Sequence, residues 1–145
     1  MMPVWIRTTH FDPFESIQQY QVELENEKEG QYGATAIFIG TMRDFNEDHR
    51  VSSMILEHYP GMTETALETI CNEAKQKWPV LDVLVVHRVG AIKPNDSIVL
   101  VAVWSAHRAA AYDANRYVME ALKSRAPFWK KETTPNGNKW VSKNT

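Results

Sequence analysis

The chain contains a single cysteine, Cys71, in 145 residues. One thiol cannot form an intrachain disulfide, and no cysteine-based zinc site is expected. A reducing cytoplasm is the expected compartment. No run approaches the roughly 18 apolar residues of a membrane-spanning helix. The opening "MMPVWIRTTHFDPF" has no basic stretch followed by a long apolar one, so it does not read as a secretory leader. G-x-G-x-x-G and Walker loops are absent, which removes the standard nucleotide cradles. H-E-x-x-H is also absent, and the five histidines (His10, His49, His58, His87 and His107) are scattered. No metal and no resident cofactor are therefore expected. His58 and His87 fall in or beside strand patterns and read as structural. No G-x-S-x-G elbow occurs, and Ser105-Ala106-His107 lacks an oriented carboxylate partner. Repeats, low-complexity tracts and linkers are missing too, so residues 1–145 read as one domain.

Charge is present but unevenly spread. The net charge is −2. Residues 1–50 hold four Lys/Arg against nine Asp/Glu, residues 51–120 six against eight, and residues 121–145 six against one. The basic C-terminal zone suggests an anion site. It is short, and the pI of about 6.2 argues against nucleic acid as the partner.

The patterning predicts mixed strands and helices, an α+β fold. "VWIRTT" begins as a strand. Asp12, Pro13 and Gly30 punctuate a helix as cap, first residue and terminator. "GATAIFIGTMR" (33–43) reads as a buried strand, "DFNEDHR" (44–50) as a mobile loop and "VSSMILEHY" (51–59) as another strand. A helix opening near Thr63 carries Leu67, Ile70, Cys71, Ala74 and Trp78 on one stripe, which makes Cys71 a packed side chain rather than a nucleophile. "LDVLVVHRVGAI" and "DSIVLVAVWSA" form a hairpin around "KPND". The last helix buries Ala110, Ala114, Tyr117, Val118, Ala121 and Leu122 and stops at Pro127. "NG" at 136–137 marks a closing hairpin.

The chemistry concentrates where the chain changes direction. Arg43 ends an apolar strand, His107-Arg108 opens the last helix, and Lys123 and Lys130 flank the Pro127 break. Helix starts and strand ends commonly present ligand groups. Sixteen helical residues separate His107 from Lys123, roughly 24 Å at about 1.5 Å per residue. One copy of the helix cannot grip a small anion from both ends. Either these are two unrelated sites or a second subunit completes the first. In "LKSRAPFWKKE" (122–132), Phe128 and Trp129 would dry the lysines, and crowding with Arg125 would lower their proton affinity. Lys130 and Lys131 face opposite sides of a strand, so at most one faces the site.

"LEHYPGMTETAL", "VVHRVGAIKPND", "SAHRAAAYDANRYVMEALKSRAPFWKKE" and "NGNKWV" closely resemble the large, catalytic subunit family of molybdopterin synthase, called MoaE, from about Gly33 to Val141. The resemblance implies an α/β-hammerhead-like fold with an additional antiparallel sheet. It also implies a homodimer with a small ubiquitin-like sulfur-carrier subunit at each end, a heterotetramer. The implied reaction is sulfur transfer from the carrier's C-terminal thiocarboxylate to cyclic pyranopterin monophosphate, forming the dithiolene of molybdopterin. By resemblance Lys123 and Lys130 are the catalytic pair. Thr41, Met42, Arg43, His107, Arg108, Lys123, Lys130, Lys131 and Glu132 are the substrate contacts, with His107-Arg108 supplied across the dimer. The sequence does not show whether residues 44–50 close over substrate. Tyr112 replaces a common Phe, and in the short tail only Lys143 could stand in for a longer basic extension. A buried Cys71 fits an enzyme whose sulfur comes from a partner.

Two other readings use the same cations. A phosphoesterase acting on a cyclic phosphate would turn over without a carrier. A non-catalytic adaptor would bind a ubiquitin-like protein but no pterin, and replacing Lys123 would not matter to it.

Overall fold

The computed structural model describes residues 2–46 and 49–141. Its strands are β1 (Val4–Arg7), β2 (Ala34–Thr41), β3 (Phe45–Asn46), β4 (His49–Arg50), β5 (Ser53–His58), β6 (Val80–Arg88), β7 (Gly90–Ile92), β8 (Ser97–Ser105), β9 (Phe128–Thr134) and β10 (Gly137–Val141). Its helices are α1 (Pro13–Lys28), α2 (Met62–Lys77) and α3 (Arg108–Arg125). One four-stranded sheet runs β1-β6-β8-β2 and a second runs β10-β9-β5-β7, while β3 and β4 pair on their own. The first sheet is mixed, with β1 parallel to β6 and the remaining pairs antiparallel; the second is wholly antiparallel. This is the expected α+β architecture with its additional antiparallel sheet. Among the described residues no helix is long and apolar enough to cross a membrane.

The continuous apolar runs of β6 and β8 follow from burial on both faces. Val83, Val85, Val99, Val101 and Val103 meet α2 and α3 on one side through Leu67, Ile70, Cys71, Ala114 and Val118. Leu84, Val86, Leu100, Ala102 and Trp104 meet Ile17, Tyr20 and Leu24 of α1 on the other. Period-two alternation sends successive residues to opposite cores, and both cores demand apolar side chains. Cys71 is fully buried in the first. Burial pushes its thiol up to about 12, so it stays protonated and inert at neutral pH.

Helix α1 starts where the punctuation puts it. Asp12 Oδ1 accepts the Phe14 amide at 2.9 Å, and Pro13 occupies the first turn. The helix closes before Gly30, whose φ of +74° is the left-handed conformation glycine tolerates.

Three expectations are corrected. The strand at 34–41 is not buried: β2 is an edge of its sheet, with Ile37 and Phe38 exposed. The segment 44–50 is not a plain loop, because Phe45 pairs with Arg50 and Asn46 with His49 in a short ladder. The segment 81–92 does not stay in one sheet. It leaves the β6–β8 hairpin after Arg88, turns at Gly90 (φ +93°), and β7 joins β5 in the second sheet. That turn couples the sheets, and Met42, Val51, Met54, Leu56, Val89 and Ile92 fill the seam between them.

Candidate active site

The α3–β9 junction builds one wall of a pocket. Helix α3 ends because Pro127 follows Ala126, which leaves the helix in an extended conformation. Thr63, fully buried at the start of α2, clamps the break: its Oγ1 donates to the Pro127 carbonyl at 3.0 Å and accepts the Tyr59 amide at 3.0 Å. Three α3 residues at helical i, i+3, i+4 spacing, Met119, Leu122 and Lys123, line the cavity. After the break, Phe128 and Lys130 of β9 line it from the adjacent side. They are two apart and share a face of the strand. Phe38, Gly40 and Thr41 of β2, Leu56 of β5, His87 of β6 and Ile98 and Val99 of β8 complete the walls. The cavity measures about 100 Å³ and is mostly apolar, with the two lysines as its cations.

A second pocket adjoins it through Thr41, Ile98 and Lys130. It adds Met42, Arg43, Phe45, Met54 and Glu132. Lys130 thus borders both. Its proton affinity is lowered, first by burial and then by the like charge of Lys123, with a smaller push from Arg43 and an opposing pull from Glu132. Glu132 and Met42 are themselves buried. The Arg43 guanidinium lies 4.9 Å from the centre of the Phe45 ring. Such a site can hold an anion and can also supply a lysine that gives up its proton more readily than a solvated one.

Six of the nine candidate residues therefore gather around two joined pockets: Thr41, Met42, Arg43, Lys123, Lys130 and Glu132. Lys131 does not join them. It projects from the opposite face of β9 and lies 5.6 Å from the Trp140 ring centre. His107 and Arg108 are exposed at the far end of α3, so this copy of the chain does not bring them to the lysines.

Two expected contributors to the dried, crowded site are elsewhere. Arg125 makes a two-pronged ion pair with Glu73, at 2.6 and 3.0 Å, so its charge is spoken for on the helix surface. Trp129 points outward and is exposed, leaving Phe128 as the aromatic wall. Lys143 and residues 47–48 lie outside the described residues.

His87, read from sequence as structural, lies in the pocket wall. Its ring stacks on Phe128, with centroids 3.9 Å apart and planes 15° apart. Burial pushes its pKa down to about 4. Phe38, Gly40 and Ile98 were also missed. A Cβ on Gly40 would stand 2.8 Å from Val99 Cγ1, so a side chain there would intrude on the cavity. The apolar pattern at 37–40 and 98–99 marked strands, but nothing in it marked a pocket. Among the described residues no cluster of three or more His, Cys, Asp or Glu could hold a metal.

In sequence and overall fold the chain is similar to known proteins. The MoaE protein family model matches residues 7–125. A molybdopterin synthase catalytic subunit from Ralstonia nicotianae is 58% identical over 111 residues, covering 77% of this chain and 63% of that protein, a little under two thirds of its length. The crystal structure of molybdopterin synthase from Staphylococcus aureus superposes with a TM-score of 0.85 at 34% identity over 99% of both chains. A complex of subunits 1 and 2 of molybdopterin-converting factor from Helicobacter pylori shares the fold, with a TM-score of 0.79 at 22% identity over 98% of this chain and 92% of that one. On the extent of the family match and these relatives, the chain belongs to the MoaE family.

Proposed function

We propose that the two joined pockets are the sulfur-transfer site of a molybdopterin synthase. A small ubiquitin-like carrier docks on the chain and extends its C-terminal thiocarboxylate toward Lys123. The acceptor is cyclic pyranopterin monophosphate, which receives two sulfurs in succession. Lys123 polarises the thiocarboxyl carbon or exchanges a proton there. Lys130, set between the two pockets, holds the substrate and moves protons as sulfur replaces oxygen. Thr41, Met42, Arg43 and Glu132 line the substrate side. Arg43, with His107 and Arg108 of a second copy, grips the phosphate. Lys131 serves at most from the rim, since it shares no face with Lys130.

The observation that carries this reading is the meeting of Lys123 and Lys130, seven residues and one proline break apart, in one largely apolar cavity. A dry pocket strengthens the pull of an ammonium on a developing oxyanion. Lowered proton affinity at Lys130 suits a residue that must both bind an anion and exchange a proton. The relatives' names point the same way. A second copy is invoked because α3 holds His107-Arg108 and Lys123 roughly 24 Å apart at about 1.5 Å per residue. The exposed Ile37 and Phe38 of edge strand β2 and exposed Tyr112 of α3 offer an apolar face for it.

The test is product formation by Lys123→Ala and Lys130→Ala proteins supplied with purified thiocarboxylated carrier and the cyclic pterin. Loss of molybdopterin in both is expected. Near-normal turnover by either would remove that lysine from the chemistry. Turnover without the carrier would favour a phosphoesterase instead.

A further inference from the structure

His87 is the one ring nitrogen system in the cavity wall, and the proposed chemistry leaves it without a task. Its surroundings define its state. Nδ1 lies 2.8 Å from the carbonyl oxygen of Arg88. A carbonyl only accepts, so Nδ1 carries the proton and donates it. In a neutral ring the distal nitrogen, Nε2, then holds a lone pair. The ring cannot swing away, because it stacks on Phe128 and sits in the middle of a sheet, paired through its backbone with Ile6 and Val99. It is 4% exposed, which opposes any charge on it.

The charged neighbours reinforce that state. Lys130 on β9 and His58 on β5 both disfavour a proton on His87. Lys123 of α3 shares its cavity. Phe128, on which the ring rests, begins the strand that carries Lys130 two residues later on the same face. A partly buried ammonium is steadied by an acceptor nearby, and a neutral imidazole supplies one without adding charge.

We propose that His87 is a positioning residue for Lys130: fixed as the Nδ1–H tautomer by the Arg88 carbonyl and the Phe128 ring, it offers Nε2 to the cationic end of the pocket and steadies the Lys130 ammonium there. This rests on the sulfur-transfer reading only for its effect on turnover; the effect on Lys130 itself does not depend on what the pocket binds. A protonated His87 would instead be a third cation beside two lysines.

The experiment follows the lysine directly. Lysines are labelled with ¹³C at Cε, Lys130 is assigned by the loss of its signal in Lys130→Arg, and its titration is followed in wild type, His87→Phe and His87→Gln. Phe keeps an aromatic ring against Phe128 but has no nitrogen, whereas Gln restores a polar acceptor. His87→Phe should move the Lys130 midpoint down by about half a pH unit or more, roughly a threefold change in proton affinity. His87→Gln should recover at least part of that shift. Imidazole ¹⁵N shifts in the wild type should show Nδ1 protonated and Nε2 not at pH 7. With carrier and pterin, His87→Phe should lower kcat about tenfold while changing KM less. An unmoved Lys130 midpoint in His87→Phe overturns the proposal, as does a doubly protonated ring at pH 7. So does a His87→Gln protein no different from His87→Phe. If the lysine moves as stated but wild type makes no product with the carrier, the sulfur-transfer reading fails and the positioning role stands.

Discussion

Lys130 and Lys131 are adjacent in sequence, yet they occupy opposite worlds on the two faces of β9. Lys130 turns inward beside His87, Phe128 and Lys123, where burial is the leading cause of its weakened hold on a proton. Lys131 turns outward over Trp140, in a cross-strand row with Ile55. Same residue type, same strand and same local sequence give a lysine with a weakened hold on its proton on one side and a cation packed over Trp140 on the other. Chemistry here is set by which face of a sheet meets the seam between two sheets, not by the lysine itself.

The widest separation between the faces should appear in turnover. Lys130→Ala should reduce molybdopterin formation by at least about a hundredfold, the scale of a lost acid–base group. Lys131→Ala should stay within about threefold, as this side chain leaves β9 on the face away from the two pockets, over Trp140. Comparable losses in both would erase the distinction.

Acid should find the inner face next. His87 has a folded value of about 4 against 6.5 when free, because burial disfavours its charge. The unfolded chain therefore takes the proton first. Stability should fall as pH drops through 6.5 and level off near 4, a loss of about 3 kcal/mol from this group. Urea unfolding at pH 7, 5.5 and 4 should show that increment in wild type and not in His87→Phe. An identical pH dependence in both would mean the ring is not held neutral.

A smaller contrast concerns heat. The unfolded chain holds the Lys130 proton more tightly than the native one, so at neutral pH the partly buried charge costs native stability. Lys130→Met should raise Tm by about 2–4 °C while abolishing activity, a trade common at functional sites. Lys131→Met should lower Tm by about 1–2 °C by removing its contact with Trp140. Calorimetry showing the opposite ordering would reverse the assignment of inside and outside.

How much of this was legible in advance differs by element. The three helices were, because Asp12-Pro13, the Leu67-to-Ala74 stripe and Pro127 are local instructions that the fold obeys. The β6–β8 hairpin was too, since runs of branched apolar residues leave little choice. The exposed face of β2 was not: "ATAIFIGT" reads as buried whether it lies at a sheet centre or at an edge, and only the strand order decides. The choice between Lys130 and Lys131 was reduced to one of two by period-two alternation, but the phase needed the opposing Leu56 and the seam beneath it. Local sequence sets Arg125 beside the lysines, whereas its partner, Glu73, lies 52 residues earlier in the chain. His87 gives no local signal, because a histidine in an apolar strand looks the same in sequence whether it fills a core or faces a cavity.

In the proposed enzyme each site joins the lysines of one copy to the His107-Arg108 corner of another. Subunit mixing tests it directly. Lys130→Ala and Arg108→Ala proteins, each expected to be inactive alone, are dissociated, mixed in equal amounts and reassembled. Mixed dimers then contain one site with both defects and one with neither, so activity should return to about a quarter of the wild-type level, half the dimers being mixed and half their sites intact. No recovery, with mixed dimers demonstrated by mass spectrometry, would mean that the two corners do not share a site.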